Sequence, residues 1–490
     1  MNKPNLVAVD LGAESCRVSL LRWIDGDPHI QIVHRFANSA TDAGGGLHWN
    51  IDGICAGVEE GLGKCAELVP EGIGAIAVDG WAVDYARVRS NGELAAEPFC
   101  YRDARTVESL KQVHARISSA RLYALTGVQI LALNTLYQLF ADTAAGIDQS
   151  TPWVNLPEFV LFRLGAGRVA EYTNATHTEL LAQSSQSWCP EIFEAAGLDI
   201  SAAPPVVKPG TDIGRVGGAL ASLPAFHNTA LIAPACHDTA SAIAGIPAHG
   251  ADWAFISSGT WSLVGSVLDA PCICDAARTK NFSNEGGIGG KTYFLKNVNG
   301  MWLLRQCMEQ WQSQAKAWTV EQLIAACSSL PAPQRLLDVD DPNLLLPGNM
   351  PARINAQLLA SGSASIPETA DAAPRMASLI FHSLAARYAT VLQDLVDITG
   401  KTLRRLFIVG GGSRNAFLNR LTAKATGLEV LVGATESTTI GNFAIQLASL
   451  AGDSTADIGV SSAAVARWAD VLAAQEMKSA APQMQAVVTS

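Results

Sequence analysis

Two aspartates stand where apolar segments end, in positions where a carboxylate could take part in chemistry. Asp10 interrupts the strand-like segment 6–11, and Asp238 follows the apolar segment 231–235 at the start of a run of small residues. A buried, unpaired carboxylate is costly, so Asp10 needs a cation, a cluster of donors or a ligand, unless it only caps the turn that follows. Asp238 has two possible roles, as a catalytic base in a crevice or as the N-cap of a helix.

Small, hydroxyl-rich turns follow three apolar strands of the predicted fold, at 12–17, 257–260 and 410–413. Each could be an ordinary tight turn, or its backbone amides could form a concave site for phosphate. None matches a Walker A loop, and the segment 286–292 fails because its glycines are one residue too close and a strand-like run follows. The pair Gly165 and Gly167 lacks the third glycine of a dinucleotide-binding turn. The pattern argues against a P-loop enzyme and a dehydrogenase.

Two further carboxylates flank a tryptophan in the segment 79–84, which follows another apolar strand. An aromatic face with nearby carboxylates is a common arrangement for holding a sugar. The alternative is a core Trp81 with Asp79 and Asp84 at the surface, and the residue types do not decide between the two.

The elements around these residues form a pattern that occurs twice. The chain opens with a predicted hairpin, 6–10 and 16–22, and the order of strand, glycine turn and strand returns at 254–267. A long amphipathic helix is predicted at 376–398 and should end at Gly400. The sequence thus predicts an α/β protein of two similar domains, with the limits 1–247, 248–455 and 456–490, the last being a C-terminal helix and tail.

Composition narrows the class of protein. Charged residues make up 16% of the 490 residues and hydrophobic ones 49%, which is typical of a compact globular enzyme. The formal net charge of −11, with no long basic run, argues against a nucleic-acid partner. No apolar run approaches a membrane span and no export signal is seen, so we expect a cytoplasmic protein with no membrane partner. The ten cysteines form no CxxC pair, so neither a zinc site nor a disulfide framework is expected.

Taken in order along the chain, the motifs resemble the FGGY family of carbohydrate kinases, from about residue 6 to about residue 450. The resemblance rests on Ala-Val-Asp-Leu-Gly-Ala at 8–13, Tyr-Arg-Asp-Ala-Arg at 101–105, Asn-Thr-Leu-Tyr-Gln at 134–138, Glu-Tyr-Thr-Asn-Ala at 171–175, His-Asp-Thr-Ala-Ser-Ala at 237–242, Ser-Ser-Gly-Thr-Trp-Ser-Leu at 257–263, Asn-Glu-Gly-Gly at 284–287, Leu-Lys-Asn at 295–297 and Ile-Val-Gly-Gly-Gly at 408–412. The motifs at 134–138 and 237–242 are similar to the branch of the family that phosphorylates L-rhamnulose at its 1-hydroxyl.

The resemblance implies two actin-like, ribonuclease H-like domains with the active site in a cleft between them, and ATP and Mg²⁺ as cofactors. Asp238 would be the catalytic base and Asp10 the magnesium ligand. The residues implied to contact the nucleotide are Ala13, Glu14, Ser15, Cys16, Arg17, Thr260, Arg305 and Gly411. The residues implied to contact the sugar are Ala82, His237, Thr239 and Asn297.

Five positions depart from the family pattern. Glu14 and Cys16 stand where the first phosphate turn usually has a hydroxyl residue and a glycine, so a carboxylate and a side chain would adjoin the phosphates. Gly80 removes a hydroxyl from the sugar loop, Ala82 adds a methyl group, and Arg305 replaces a glutamine. The reaction class is unaffected, but the identity of the sugar is open.

Three functions therefore stay under consideration. The first is an L-rhamnulose kinase, and the second is a kinase of another ketose, such as L-fuculose or a pentulose. The third is a non-catalytic regulator that binds ATP and a sugar, although Asp10, Asp238 and Thr260 are all retained. The expected partners are small molecules only, and the protein is expected to be a monomer or a homodimer.

Overall fold

The computed structural model describes residues 3–42, 45–312 and 317–484. Its strands are β1 Leu6–Leu11, β2 Ser15–Ile24, β3 Asp27–Ala37, β4 Ala40–Asp42, β5 Leu47–Trp49, β6 Ala75–Gly80, β7 Tyr85–Arg87, β8 Trp153–Asn155, β9 Ala170–Glu171, β10 Leu181–Ala182, β11 Ser187–Trp188, β12 Val206–Val207, β13 Thr211–Arg215, β14 Ala230–Ala233, β15 Trp253–Ser258, β16 Trp261–Leu268, β17 Ser283–Gly286, β18 Thr292–Asn299, β19 Arg405–Val409, β20 Glu429–Val432, β21 Ser454–Thr455 and β22 Gly459–Val460.

The α-helices alternate with these strands, as expected for an α/β protein. They are α1 Ile51–Leu68, α2 Thr106–Arg116, α3 Ser119–Thr126, α4 Thr135–Ala144, α5 Leu156–Arg163, α6 Tyr172–Thr176, α7 Pro190–Ala196, α8 Asp238–Ala244, α9 Asp275–Thr279, α10 Trp302–Gln312, α11 Val320–Cys327, α12 Met350–Ala360, α13 Ala373–Thr399, α14 Ala416–Thr426, α15 Ser437–Leu450 and α16 Ser462–Met484. Within the described ranges, none of these helices has the length and apolar character that crossing a bilayer requires.

The first compact unit contains Met1–Ala248, Val267–Phe294 and Glu436–Ser490. Its main sheet has the strand order β13-β14-β6-β1-β2-β3, in which β14, β6 and β1 run parallel and the hairpin β1–β2 is antiparallel. Both faces of the parallel strands are buried, and β1 and β6 are buried at every position. Helices α5 and α15 pack on this part of the sheet, which explains the continuous apolar character of the strands.

The second compact unit contains His249–Ser266 and Leu295–Thr435. Its strands follow the order β18-β16-β15-β19-β20, with β15, β19 and β20 parallel and the hairpin β15–β16 antiparallel. Helix α13 packs against α10, α11 and α14. The unit thus repeats the hairpin and the adjoining parallel strands of the first unit, as the sequence pattern predicts.

The long helix predicted at 376–398 is α13, and it ends where the sequence indicates. Gly400 takes a φ of 68°, and its N–H donates to the carbonyl oxygen of Val396. This left-handed conformation favours glycine because a Cβ atom would be strained there.

The compact units differ from the predicted domain limits, which stay a prediction. The predicted domains are continuous stretches of chain, whereas the first unit takes in α15 and α16 from the end of the chain. The physical reason is the packing of α15 against α8 and against β1. Of the predicted C-terminal tail, residues 485–490 lie outside the described ranges.

Candidate active site

Three aspartates follow adjacent parallel strands of the first unit. Asp10 in β1 and Asp79 in β6 are direct register partners, and Asp238 opens α8 five residues beyond the end of β14, the next strand of the sheet. The carboxyl ends of parallel strands meet at one edge of a sheet, where α/β proteins commonly bind ligands. The two aspartates singled out from sequence are therefore brought to one place, together with Asp79.

All three carboxylates have pKa values above their ordinary range, and at Asp10 the charge of Glu436 contributes to the rise. Burial is the largest cause at each, and the charge of Asp10 adds to it at Asp79 and at Asp238. The pKa of Asp79 lies well above its ordinary value, that of Asp238 rises to about 6, and that of Asp10 is raised although Arg17 partly offsets the shift. Because clustered carboxylates resist ionisation, a bound cation at this edge would be strongly favoured.

Asp79 has one satisfied and one unsatisfied oxygen. Its Oδ2 accepts a hydrogen bond of 2.7 Å from the Asn442 side chain. Its Oδ1 is buried and accepts no hydrogen bond of normal geometry from any residue in the described ranges. Hard divalent cations such as Mg²⁺ take carboxylate oxygens as ligands, so the donor set of Asp10 and Asp79 fits such an ion.

Arg17 in β2 joins two acidic groups beside this edge. Its Nη1 atom lies 3.2 Å from Asp10 Oδ2 and 2.5 Å from Glu436 Oε2. Glu436 precedes α15, and sequence reasoning missed it because nothing in its own neighbourhood marks it as part of a site. The Arg17 predicted for phosphate contact is therefore already held by two carboxylates.

The turn between β1 and β2 is tight and partly exposed. A Cβ atom at Gly12 would lie 2.5 Å from the carbonyl oxygen of Ser15, so only glycine fits there. The Asn38 side chain donates to the Gly12 carbonyl oxygen at 3.1 Å, and its backbone N–H donates to that of Glu14 at 2.9 Å. Ala13, Glu14 and Ser15 are half-buried at this turn.

The Cys16 side chain lies in the core, with its Sγ atom 3.8 Å from the Gly12 carbonyl oxygen. This side chain is fully buried in the core of the first unit, and burial raises the pKa of its thiol to about 12. The departure from glycine at this position therefore adds to the core, and it does not place a side chain over the turn.

Asp238 is the first residue of α8 and not its N-cap. The N-cap is His237, whose side chain makes no capping bond. The N-cap alternative for Asp238 is thus wrong, because the helix starts one residue earlier than that reading requires. The Asp238 side chain is 32% exposed, and its Oδ1 accepts a 3.1 Å hydrogen bond from Thr239.

The backbone just before Asp238 is fixed by buried polar contacts. Glu171 accepts a hydrogen bond of 2.8 Å from the N–H of Cys236, and the Cys236 carbonyl oxygen accepts one of 2.9 Å from Gly80. Burial raises the pKa of Glu171 to about 8. A Cβ atom at Gly80 would lie 2.7 Å from Leu11 Cβ, so the hydroxyl residue usual in the family has no room here.

The loop that follows β6 has its tryptophan in the core. Trp81 is 7% exposed, and Asp84 is fully buried. Asp84 accepts hydrogen bonds from the indoles of Trp49 and Trp81, from the Tyr101 N–H and from the Gln138 side chain. The interpretation of Trp81 as a core residue is therefore confirmed. Asp84 is a buried acceptor of four hydrogen bonds, so its expected place at the surface is wrong.

The same loop holds a strained residue. Val83 has a φ of 72°, which is rare for a β-branched residue. The Val83 carbonyl oxygen accepts a 2.7 Å hydrogen bond from Thr135 at the start of α4, which keeps the neighbouring Ala82 in place. Part of the motif at 134–138 thus acts by shaping the loop that contains Ala82.

Helices α8 and α15 cross at two glycines. A Cβ atom at Gly441 would lie 1.8 Å from the Ser241 carbonyl oxygen, and one at Gly245 would lie 2.3 Å from that of Ser437. This close approach brings Asn442 to Asp79 and packs α15 against α8, the helix that begins at Asp238. A run of amide and hydroxyl side chains on an otherwise apolar helix is the signal that could have indicated α15.

In the second unit, two glycine turns follow the neighbouring parallel strands β15 and β19. Gly410 has a φ of 81°, and a Cβ atom at Gly412 would lie 2.0 Å from Ser258 Oγ. A Cβ atom at Gly411 would meet nothing within 4 Å, so the backbone there is open to a ligand. The two turns predicted to cradle phosphates are therefore packed on each other.

The remaining predicted residues also lie in the second unit. The carbonyl oxygen of Thr260 accepts a 3.2 Å hydrogen bond from the N–H of Trp302, the first residue of α10. Arg305 lies on this helix, with its Nε atom 3.0 Å from Glu309 Oε1. Asn297 lies in β18 and is half-buried.

Comparison with known proteins assigns the chain to a family. Residues 5–245 match the N-terminal domain of the FGGY family of carbohydrate kinases, and residues 254–450 match its C-terminal domain. The chain belongs to the FGGY family. It is thus an ATP-dependent sugar kinase, and the predicted small-molecule substrates, a sugar and ATP, are confirmed at this level.

Full-length relatives support the same assignment for this FGGY kinase. It is 35% identical over 449 residues to a rhamnulokinase of Bacteroides thetaiotaomicron, covering 91% of this chain and 90% of the relative. It is 36% identical over 457 residues to a rhamnulokinase of Klebsiella pneumoniae, covering 92% and 90%.

Solved structures confirm the predicted fold class. A xylulose kinase from Lactobacillus acidophilus matches with a TM-score of 0.75 at 15% identity, covering 98% of this chain and 99% of the other. Glycerol kinase from Plasmodium falciparum with ADP matches with a TM-score of 0.71 at 14% identity, covering 98% of each. At such identities the likeness concerns the α/β fold of two domains alone.

Proposed function

We propose that this FGGY kinase transfers the γ-phosphoryl group of ATP to the 1-hydroxyl of L-rhamnulose. The observation that carries the proposal is the row of Asp10, Asp79 and Asp238 at the ends of three parallel strands. Identity above 30% with named rhamnulokinases over nine tenths of the chain favours this sugar.

Asp238 acts as the general base in this proposal. Its carboxylate accepts the proton of the sugar hydroxyl while the oxygen attacks the γ-phosphorus and ADP leaves with the electrons of the broken bond. A pKa of about 6 keeps the carboxylate ionised at neutral pH and still close to the optimal strength of a base. The partial exposure of Asp238 leaves room for the hydroxyl.

Mg²⁺ is the metal we propose for the acidic edge, held by Asp10 with Asp79 beside it. The unsatisfied Oδ1 of Asp79 and the raised pKa values of both carboxylates support this placement. When bound, the ion neutralises charge on the phosphates of ATP. In this proposal Asp10 would bind the ion, and the positive charge of Arg17 favours the ionised form of Asp10.

Nucleotide contacts are proposed for both units. In the first unit they involve the turn from Ala13 to Arg17, with the Cys16 side chain excluded because it lies in the core. In the second unit they involve Thr260, Arg305 and Gly411. The open backbone at Gly411 supports its role, since a phosphate or a purine can approach closely only where no side chain intervenes.

Sugar contacts are proposed for Ala82, His237, Thr239 and Asn297. The absence of a side chain at Gly80 is explained by the packing of Leu11, so this departure does not by itself argue for another sugar. L-fuculose and pentuloses remain the alternatives. A coupled ADP assay with L-rhamnulose, L-fuculose and a pentulose tests the choice, and a higher kcat/KM for another ketose would overturn the substrate assignment.

The reaction itself is tested by Asp238→Asn. The amide keeps the size of the side chain but cannot accept the proton, so kcat should fall by about 10²–10⁴-fold with little change in ATP affinity. Since Asp238 is not the N-cap, the fold should be unaffected, which thermal unfolding checks. Sugar-dependent ADP release within about threefold of the parent enzyme would show that Asp238 is not the base and would favour the non-catalytic alternative.

Location and assembly complete the proposal. A cytoplasmic kinase that is a monomer or a homodimer is consistent with the composition, and both features stay predictions. Cell fractionation tests the first, and light scattering during size-exclusion chromatography tests the second.

A further inference from the structure

Three buried titratable side chains lie together beside Asp238. His177 follows α6, His237 precedes α8, and Glu285 lies in β17. Their exposed fractions are 7%, 5% and 1%. The proposed function uses only His237, and the resemblance assigns no role to Glu285 although it lies in the motif at 284–287.

The distances form a chain of contacts that ends on the proposed base. His177 Nε2 lies 2.8 Å from Glu285 Oε2, and His237 Nδ1 lies 3.9 Å from the same oxygen. On the other side of its ring, His237 Nε2 lies 3.5 Å from Asp238 Oδ1. The two imidazoles are in edge contact, with ring centroids 4.0 Å apart. The His237 ring is thus placed between two carboxylates.

Burial of the Glu285 carboxylate is unfavourable in free energy. Both of its carboxylate oxygens are buried, and neither accepts a hydrogen bond of normal geometry from the described residues. A buried carboxylate that has a close imidazole but no well-directed hydrogen bond lowers the stability of the folded state. A role in the reaction would explain why a carboxylate stands at this position. Between Glu285 and Asp238 lies the His237 ring.

We infer that Glu285 is a positioning residue for phosphoryl transfer, because its carboxylate holds the proton of His237 on Nδ1 and leaves the Nε2 lone pair facing Asp238. The inference rests on the proposed function, since it acts through the proposed base. The 3.9 Å separation is long for a hydrogen bond, and such contacts commonly shorten when the substrate binds.

The choice of tautomer decides how well Asp238 accepts a proton. With the proton on Nδ1, Nε2 does not compete for the Asp238 carboxylate, and it can accept a hydrogen bond from the Asp238 O–H formed after proton transfer. With the proton on Nε2, the imidazole donates to the carboxylate, which stabilises the charged form and weakens the base. His177 Nε2 contacts the same oxygen of Glu285 at 2.8 Å, which keeps the carboxylate beside the His237 ring.

The test replaces Glu285 with Gln in the full-length enzyme. The side chain keeps its size, but its NH₂ group donates to His237 Nδ1 and so moves the ring proton to Nε2. We expect kcat to fall by about 10–100-fold, with the KM for ATP unchanged. Glu285→Asp, which keeps an acceptor, should recover part of the loss. The melting temperature of the Gln variant should be unchanged or higher, because a buried charge is removed.

Glu158→Gln is the matched control. Glu158 is also a fully buried carboxylate of the first unit, but it accepts hydrogen bonds from the Glu171 N–H and the Asn174 side chain. Its Gln variant should lower the melting temperature with kcat changed less than about threefold. A purely structural Glu285 would behave like this control, and that result would overturn the inference.

Two other outcomes are also decisive. If Glu285→Gln keeps kcat within about twofold while Asp238→Asn is inactive, the positioning role is wrong and the proposed function stands. The same three side chains are of types that ligate Zn²⁺. If EDTA-treated wild-type enzyme in Mg²⁺ buffer regains lost activity only with added ZnCl₂, the cluster is a metal site and the positioning role is likewise overturned.

Discussion

The first turn of each unit joins an apolar strand to its antiparallel partner, yet the two turns differ in charge. The turn after β1 lies beside Asp10 and Arg17, with Glu436 brought in from the end of the chain. The turn after β15 consists of serine, glycine and threonine, and it is packed against the glycines after β19. One backbone pattern thus carries ionic chemistry in one unit and close backbone packing in the other.

The strongest test of this contrast is Asp10→Asn, at the end of β1 beside the charged turn. Loss of the carboxylate should lower kcat with Mg-ATP by about 10³-fold or more, because a metal ion supplies several kcal/mol of charge stabilisation. The apparent Mg²⁺ requirement of the residual activity should rise. Initial rates across a Mg²⁺ titration check both effects.

The matched control for that variant is Asp84→Asn. Asp84 is equally buried, but it accepts four hydrogen bonds and lies in the core. Its replacement should lower the melting temperature and leave the Mg²⁺ requirement of the folded enzyme unchanged. Near-normal activity of Asp10→Asn at low Mg²⁺ would contradict the proposed metal site.

A second test measures the pH dependence of kcat/KM, which should report on Asp238 in the first unit. The pKa of Asp238 is raised to about 6, and a base must be ionised to work, so kcat/KM should fall about tenfold per pH unit below 6 and level off above it. Higher free Mg²⁺ should move this limb to lower pH, because a cation nearby favours the carboxylate. A pH profile that stays flat down to pH 5 would be incompatible with Asp238 as the base.

The third test compares neighbouring glycines of the turn after β19, against which the uncharged turn packs. A methyl group at Gly412 collides with Ser258, so Gly412→Ala should cost about 1–3 kcal/mol of stability. Gly411→Ala meets no atom within 4 Å and should leave stability unchanged while raising the KM for ATP several-fold. Denaturant unfolding and ATP titrations measure the two effects. Equal KM values for the Gly411 variant and the parent would argue against nucleotide contact there.

The smallest effect on activity is expected at Cys16. Its side chain belongs to the core, so Cys16→Ala should cost about 1 kcal/mol of stability and change the KM for ATP by less than twofold. Cys65→Ala, also fully buried in the first unit, serves as the control and should behave in the same way. A large rise in the KM for ATP at Cys16 alone would place its thiol in the nucleotide site after all.

The sequence predicted those features that depend on local patterns. The hairpins β1–β2 and β15–β16 follow from apolar strands separated by glycine turns, and the end of α13 follows from Gly400. Asp10 and Asp238 could be singled out because a carboxylate at the end of an apolar strand lowers stability unless a cation, a hydrogen-bond donor or a ligand pairs with it. The error over the N-cap of α8 was a shift of one residue, and helix ends are the least regular part of such patterns.

Features that depend on distant packing could not be predicted. Asn442 and Asp79 are 363 residues apart in sequence, and Glu436 and Arg17 are 419 apart. Asp79 and Arg17 stand out in the sequence, but no local pattern pairs them with Asn442 and Glu436, since each contact arises from the packing of the α15 region onto the first unit. Asp84 likewise appears as a surface candidate in the sequence because three of its four donors, Trp49, Tyr101 and Gln138, come from other segments.

The return of α15 to the first unit also governs when that unit is completed during synthesis. Gln446 donates to the Val7 carbonyl oxygen across 439 residues, so the chain must pass through the whole second unit before this contact forms. Domains generally fold as their chain emerges from the ribosome, but the acidic edge lacks Glu436 and Asn442 until nearly the entire chain has been made. The acidic edge of a nascent chain therefore stays incomplete until the segment that contains Glu436, Asn442 and Gln446 has been synthesised.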